Sequence, residues 1–222
     1  MIPALVVIGL MYFWSTGAGT ALYATARMLA QLLLIGYVLV YIFEAEHPGI
    51  IIAVIFVMIV VSSWIAIRQV ENDRGRAYLH ALAAVAIAGI PVLALVSQSV
   101  IGIEPWFSPR YVVPLAGMIF SGAMTAVGLA AERYQSEISR GEDNVSARKA
   151  AFNAAMIPMV NSLFAVGLVS LPGMMTGQIL SGVSPLVAAK YQIVVMSMLL
   201  GVSGISTAIY LVLQGKRDEP VT

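Results

Sequence analysis

Apolar runs long enough to cross a bilayer recur along this chain with only short charged clusters between them, and that alternation limits the fold more than any single motif. Crossing hydrocarbon about 30 Å thick takes ~20 helical residues. Runs at Ala18–Phe43, Ile50–Ile67, Leu79–Ile101, Val112–Ala131, Ala151–Leu171 and Tyr191–Leu213 are near or above that length. A further run, Ile2–Trp14, covers only roughly 20 Å at 1.5 Å per residue. No basic stretch precedes it, which argues against a cleaved signal peptide. It is read as part of a longer first helix. With 60% hydrophobic and 10% charged residues, the chain departs from the roughly 25% charged usage of soluble domains. The expected fold is all-α, a polytopic transmembrane helix bundle of about seven spans with a short first helix. It forms one transmembrane domain over residues 1–215 and a short cytoplasmic tail at 216–222.

The basic residues set the expected orientation, because cytoplasmic flanks of membrane helices carry the excess of Lys and Arg. With the tail inside and the runs alternating, Arg27, Arg68, Arg74, Arg76, Arg133, Arg140, Arg148, Lys149, Lys216 and Arg217 fall on the cytoplasmic side. Only Arg110 and Lys190 fall outside. The N-terminus is therefore expected outside and the C-terminus in the cytoplasm. The net charge of +1 gives no sign of a nucleic-acid partner. The absence of cysteine excludes disulfides and thiolate ligands.

Signatures of enzymes are missing: no HExxH, no GxSxG, no Walker A motif, and no carboxylate at mid-helix depth. The chain is therefore expected to perform no bond chemistry and to bind no cofactor itself. Glu44, Glu46 and His47 form a carboxylate and imidazole set that could hold a divalent metal, but such a cluster before Pro48-Gly49 is more often a solvated turn. Met174 and Met175 offer soft ligands, but neighbours on a helix point in different directions and packing is the commoner use of methionine.

Amides inside apolar runs carry more information. Burying Gln31, Asn153, Asn161 or Gln178 unpaired in hydrocarbon costs several kcal/mol, so each is expected to face another helix or a wet cavity. Asn161 and Ser162 follow Pro158, whose missing N–H frees a carbonyl for neighbouring polar groups. A proline-broken helix with amides beside it suits a translocation lining, and helix-to-helix hydrogen bonding alone is the competing reading. The stripes Gly117-Ser121-Thr125 and Gly201-Gly204-Ala208 read as helix-packing surfaces. Glu132–Lys149, with alternating charge and a break at Gly141, reads as a short surface helix, a turn and the start of the next helix. Arg133, Arg140, Arg148 and Lys149 are its candidates for docking a soluble partner.

The most irregular stretch is Val166–Val195, where Pro172, Gly173, Gly177, Gly182 and Pro185 crowd together. Its segment VGLVSLPGMMTGQILSG (Val166–Gly182), followed by Ser184-Pro185 and KYQIVV (Lys190–Val195), resembles the most characteristic part of the FetB-type family. These are bacterial ABC-transporter permeases implicated in iron export and related to plant permeases of aluminium tolerance. ARMLAQLLLIGYVLVYIF (Ala26–Phe43), VPLAGMIFSGAMTAVGLA (Val113–Ala130) and AAMIPMVNSL (Ala154–Leu163) resemble the same family.

The resemblance implies an inner-membrane permease subunit, dimeric, that works with a separate ABC ATPase subunit. ATP and Mg would act through that partner, and a metal ion, iron first, would be the substrate. Two departures stand out: the short first helix, and the lack in Glu132–Lys149 of the extra helical segment with a Leu-Gly-Ala-type turn. On this reading Pro158, Asn161 and Ser162 line a pathway, and Pro172, Gly173, Met174, Met175, Gly177 and Gln178 belong to an outer gate whose glycines supply tight turns. A membrane scaffold or sensor that has lost transport coupling, and a secondary transporter, are the alternatives.

Overall fold

The computed structural model describes residues 2–44, 47–70 and 73–215. They form helices throughout, and the chain divides into two compact units, Met1–His47 and Pro48–Thr222. In the first unit, α1 (Ile2–Phe13) turns through Ser15 and Gly17, both at positive φ, into α2 (Ala18–Phe43). The bounds of α2 are those of the apolar run, because Gly17 in the left-handed region and Glu44 at the other end stop it.

The second unit is an antiparallel bundle of α3 (Pro48–Ala66), α4 (Arg74–Ala94), α5 (Pro109–Ser139), α6 (Asn144–Ala165), the short α7 (Gly173–Leu180) and α8 (Pro185–Gly215). Helix α4 continues into a π-helical turn at Leu95–Val100. Helix α5 is central, packed against α3, α4, α6 and α8. Among the described residues, five helices are long and apolar enough to cross a membrane: α2, α3, α4 with its π turn, α5 and α8. Helix α1 has 12 residues, and α6 opens with Arg148, Lys149 and other polar residues, so neither joins that group.

Packing relies on small side chains, as it must where lipid supplies no hydrophobic drive between helices. Ala77, Ala81 and Ala84 of α4, Ala130 and Ala131 of α5, and Ala147, Ala151 and Ala155 of α6 are all buried in one cluster with Tyr134 and Tyr210. The tight crossings are at glycines other than those the stripes suggested. A methyl group on Gly128 would meet the Ala66 carbonyl oxygen at 3.1 Å, and one on Gly122 would meet Leu199 at 3.1 Å. Gly201 has open space beside it, and Ser121 and Thr125 are exposed.

The segment Glu132–Lys149 differs from its expected form. Helix α5 runs on through Ser139 instead of yielding to a separate surface helix, and the turn is confined to residues 140–143. Tyr134 and Glu137 are buried, and the Arg133–Glu137 pair spans one helical turn, so the polar sequence is helix-forming as well as hydrophilic. Gly141 makes the turn at φ +86°. The basic residues separate along the bundle. Arg68, Arg74, Arg76, Arg133, Arg140, Arg148 and Lys149 are at the end holding the α5–α6 turn, and Arg110 and Lys190 are at the end holding α7.

Candidate translocation groove and gate

Along one side of the bundle, α5, α6 and α8 leave a groove of about 290 Å³ lined by Ser121 and Thr125, by Pro158 and Ser162, and by Ser203. The hydroxyls of Ser121, Thr125 and Ser162 are arranged alike. Ser121 donates to the Met118 carbonyl at 3.1 Å, Thr125 to the Ser121 carbonyl at 2.9 Å and Ser162 to the Pro158 carbonyl at 2.9 Å. With each proton committed to its own helix, the oxygen lone pairs are left for the groove. Such a surface accepts hydrogen bonds or contacts a cation, and Met118 and Met159 add polarisable sulfur to its walls.

Pro158 does not break its helix, as the sequence suggested; α6 is continuous from Asn144 to Ala165. Proline still removes the hydrogen bond to the Ala154 carbonyl, but Ser162 bonds the Pro158 carbonyl, so the expected repair by that hydroxyl is made one turn later. Asn161 does not share the groove with Ser162. It is exposed on α6, as are Asn153 and Ile157, away from the alanine seam Ala147-Ala151-Ala155.

Helix α6 ends at Ala165, six residues before its apolar run does, because the chain folds back on itself: the Gly167 N–H donates to the Ser170 carbonyl at 2.9 Å. Gly167 at φ +82° and Gly182 at φ +91° make the turns on either side of α7, using the left-handed conformation that glycine adopts without penalty. Gly173 and Gly177, expected to supply tight turns, lie within α7, and an added methyl group would meet nothing within 4 Å at either. Pro172 precedes the helix in an extended conformation.

Met174 and Met175 line different cavities. Met174 lines a cavity of about 580 Å³ with Gln178, Arg110, Tyr111, Met118 and Tyr191. Met175 lines another of about 330 Å³ with Gln192, Met196 and Ser197. In each cavity the glutamine carbonyl oxygen is buried with no hydrogen-bond donor among the described residues. Gln192, Met196 and Ser203 escaped the sequence reading. Gln192 is an amide inside an apolar run, the same signal that picked out Gln178, but it sits beside Tyr191 where the run was taken to start.

At the opposite end the candidate docking residues are partly engaged. Buried Glu137 contacts Arg133 directly and Arg140 at 3.8 Å. Asp143 caps α6, accepting the backbone N–H groups of Val145 at 2.8 Å and Ser146 at 3.0 Å. The Ser146 hydroxyl first, and then these N–H groups, hold its carboxyl below the usual aspartate range. Arg148 lies against Gly215, His80 Nδ1 is 2.6 Å from Gln214 Oε1, and Lys149 is exposed. In the first unit Glu44 and His47 are exposed, and Glu46 and the tail 216–222 lie outside the described residues. Among the described residues no group of three His, Cys, Asp or Glu is placed to hold a metal.

A bundle with five helices long and apolar enough to cross a bilayer is that of a multi-pass membrane protein. The chain belongs to the uncharacterised protein family UPF0014, whose model matches residues 1–148 and 145–217. It is 34% identical over 206 residues to the UPF0014 membrane protein slr1647 of Synechocystis, covering 85% of this chain and 79% of that one. It is 35% identical over 204 residues to the protein named "Probable iron export permease protein FetB" of Escherichia coli, covering 85% and 77%. It is 33% identical over 204 residues to Protein ALUMINUM SENSITIVE 3 of Arabidopsis thaliana, covering 85% and 73%. No solved structure matches the chain.

Proposed function

We propose that the chain is the membrane-spanning permease subunit of an ABC-type exporter that moves metal ions, iron first, out of the cytoplasm. A separate subunit hydrolyses ATP with Mg. The observation that carries this reading is the 35% identity, over 85% of the chain, to a protein named as a probable iron export permease. The end holding the α5–α6 turn faces the cytoplasm in this reading, because seven of the nine described Lys and Arg residues of the second unit gather there. The N-terminus is then outside, with seven crossings.

The groove is open at the surface of the bundle, and hydroxyls facing lipid lack the partners they would have in water. A second copy laid over it would enclose the path, with Pro158 and Ser162 on its wall and α7 at its outer mouth. Asn161, on the exposed side of α6, belongs to the contact between copies. Lys149 and the Arg133–Glu137–Arg140 group are the surface for the ATPase. Co-expression with an ABC ATPase subunit from the same organism tests the reading. The chain should bring that subunit down in detergent and raise its ATP turnover. A chain that purifies alone and leaves ATP turnover unchanged is a scaffold or sensor instead.

A further inference from the structure

We propose that the cavity between the end of α6, α7 and α8 is a binding site for a soft monovalent cation of the copper(I) or silver(I) class, held by Met175, Met196 and Gln192. Three observations meet there. Gln192 is only 6% exposed, and among the described residues its carbonyl oxygen has no hydrogen-bond donor, which leaves a buried acceptor unsatisfied. Met175 from α7 and Met196 from α8, one turn beyond Gln192, bring two thioethers to the same cavity of about 330 Å³. Apart from Ser197 its other walls are apolar, among them Leu163, Val166 and Ile193, and among the described residues no charged side chain lines it.

That donor set is selective. Neutral thioether and amide ligands cannot offset the desolvation of a hard divalent ion, whose hydration scales with the square of its charge. Thioether sulfur instead favours the soft copper(I) class. Methionine is flexible enough to close on an ion from two helices, and the turns at Gly167 and Gly182 leave α7 attached at both ends through left-handed glycines. Met174, one residue away, faces the Arg110 cavity, where a guanidinium repels cations. The proposal does not rest on the export reading, since it concerns binding to this chain alone.

Silver(I) titration of the purified full chain in detergent and chloride-free buffer, with iron(II) in parallel, tests it. Wild type should take up one more tight equivalent of silver than the Met175→Leu/Met196→Leu double variant. Each single variant should weaken that equivalent by at least about tenfold, the lower limit for disturbing a metal site. Met174→Leu should leave it unchanged, and iron(II) should not displace it. Leucine conserves volume, and X-ray absorption on silver-loaded wild type, independent of any variant, should show two sulfur neighbours. Equal uptake by the double variant, an equal loss in Met174→Leu, or a silver shell without sulfur would overturn the proposal and leave the cavity holding water only.

Discussion

The side-chain amide of Asn144 donates to the backbone carbonyl of Gly215 at 2.7 Å, joining the first turn of α6 to the last residue of α8. The same Asn144 accepts from the Tyr134 hydroxyl of α5 at 3.2 Å, so one residue fastens three helices. A helix C-terminus leaves carbonyls without partners, and here a side chain from another helix satisfies one. Asn144→Leu should destabilise the bundle by about 1–3 kcal/mol, the cost of leaving such groups unsatisfied. Gly215→Ala should do comparable harm, because its methyl group would sit 2.8 Å from Asn144 Oδ1. Thermal unfolding in detergent followed by circular dichroism measures both.

The glycines divide into two groups with opposite expected outcomes. Gly89→Ala would place a methyl group 2.5 Å from the Phe120 ring and should cost about 1–3 kcal/mol through overpacking. Gly177→Ala meets nothing within 4 Å inside α7, and should stabilise by about 0.4–1 kcal/mol by restricting the unfolded chain. Melting temperatures of the two variants, read against wild type, should move in opposite directions.

Asp143 gives a pH dependence of definite sign. Its folded carboxyl is held below the ordinary range, so its contribution is fully present above the unfolded value and is lost as pH falls through the folded one. The difference in stability between wild type and Asp143→Ala should be constant near neutrality and shrink only at acidic pH below the usual aspartate range. Asp143→Asn should keep part of the cap at every pH, because asparagine caps without a charge. Denaturant unfolding of the three proteins across that range checks the sign.

Arg133 and Arg140 compete for one buried carboxylate, and their distances rank them. Arg133 touches Glu137, whereas Arg140 is 3.8 Å away and more exposed. Arg133→Ala should therefore cost more than Arg140→Ala, with both near or below about 1 kcal/mol because the arginines are solvated. Lys149→Ala should leave stability unchanged. If the proposed ATPase contact lies here, Lys149→Ala should also lower ATPase recovery in co-purification.

The helical class and most element bounds were readable because lipid imposes a length on apolar runs. Ala18–Phe43 is one helix to the residue, since Arg27 is the one charge within it and Gly17 and Glu44 bound it. The continuity of α5 beyond Ala131 was hidden, because Arg133, Tyr134 and Glu137 look like a separate surface helix until the Glu137 side chain is seen buried between two arginines. The different directions of Met174 and Met175 follow from the 100° step of a helix and were legible. Their cavity partners were not: Gln192 and Met196 come from another helix, and no spacing within α7 could name them. The groove was half legible. Ser162 stood out beside Pro158, while Ser121 and Thr125 read as a packing stripe because small polar residues serve both purposes in membranes.

The most direct test of the account is ATP-driven iron transport into inside-out vesicles containing the chain and its ATPase, comparing wild type with Ser121→Leu and Ser162→Leu. Both positions line the groove of α5, α6 and α8 and are exposed, so leucine should be tolerated by the fold while filling the path with an apolar side chain. The account predicts normal amounts of protein in the membrane and loss of most iron uptake in both variants. Uptake at the wild-type rate in both would contradict it.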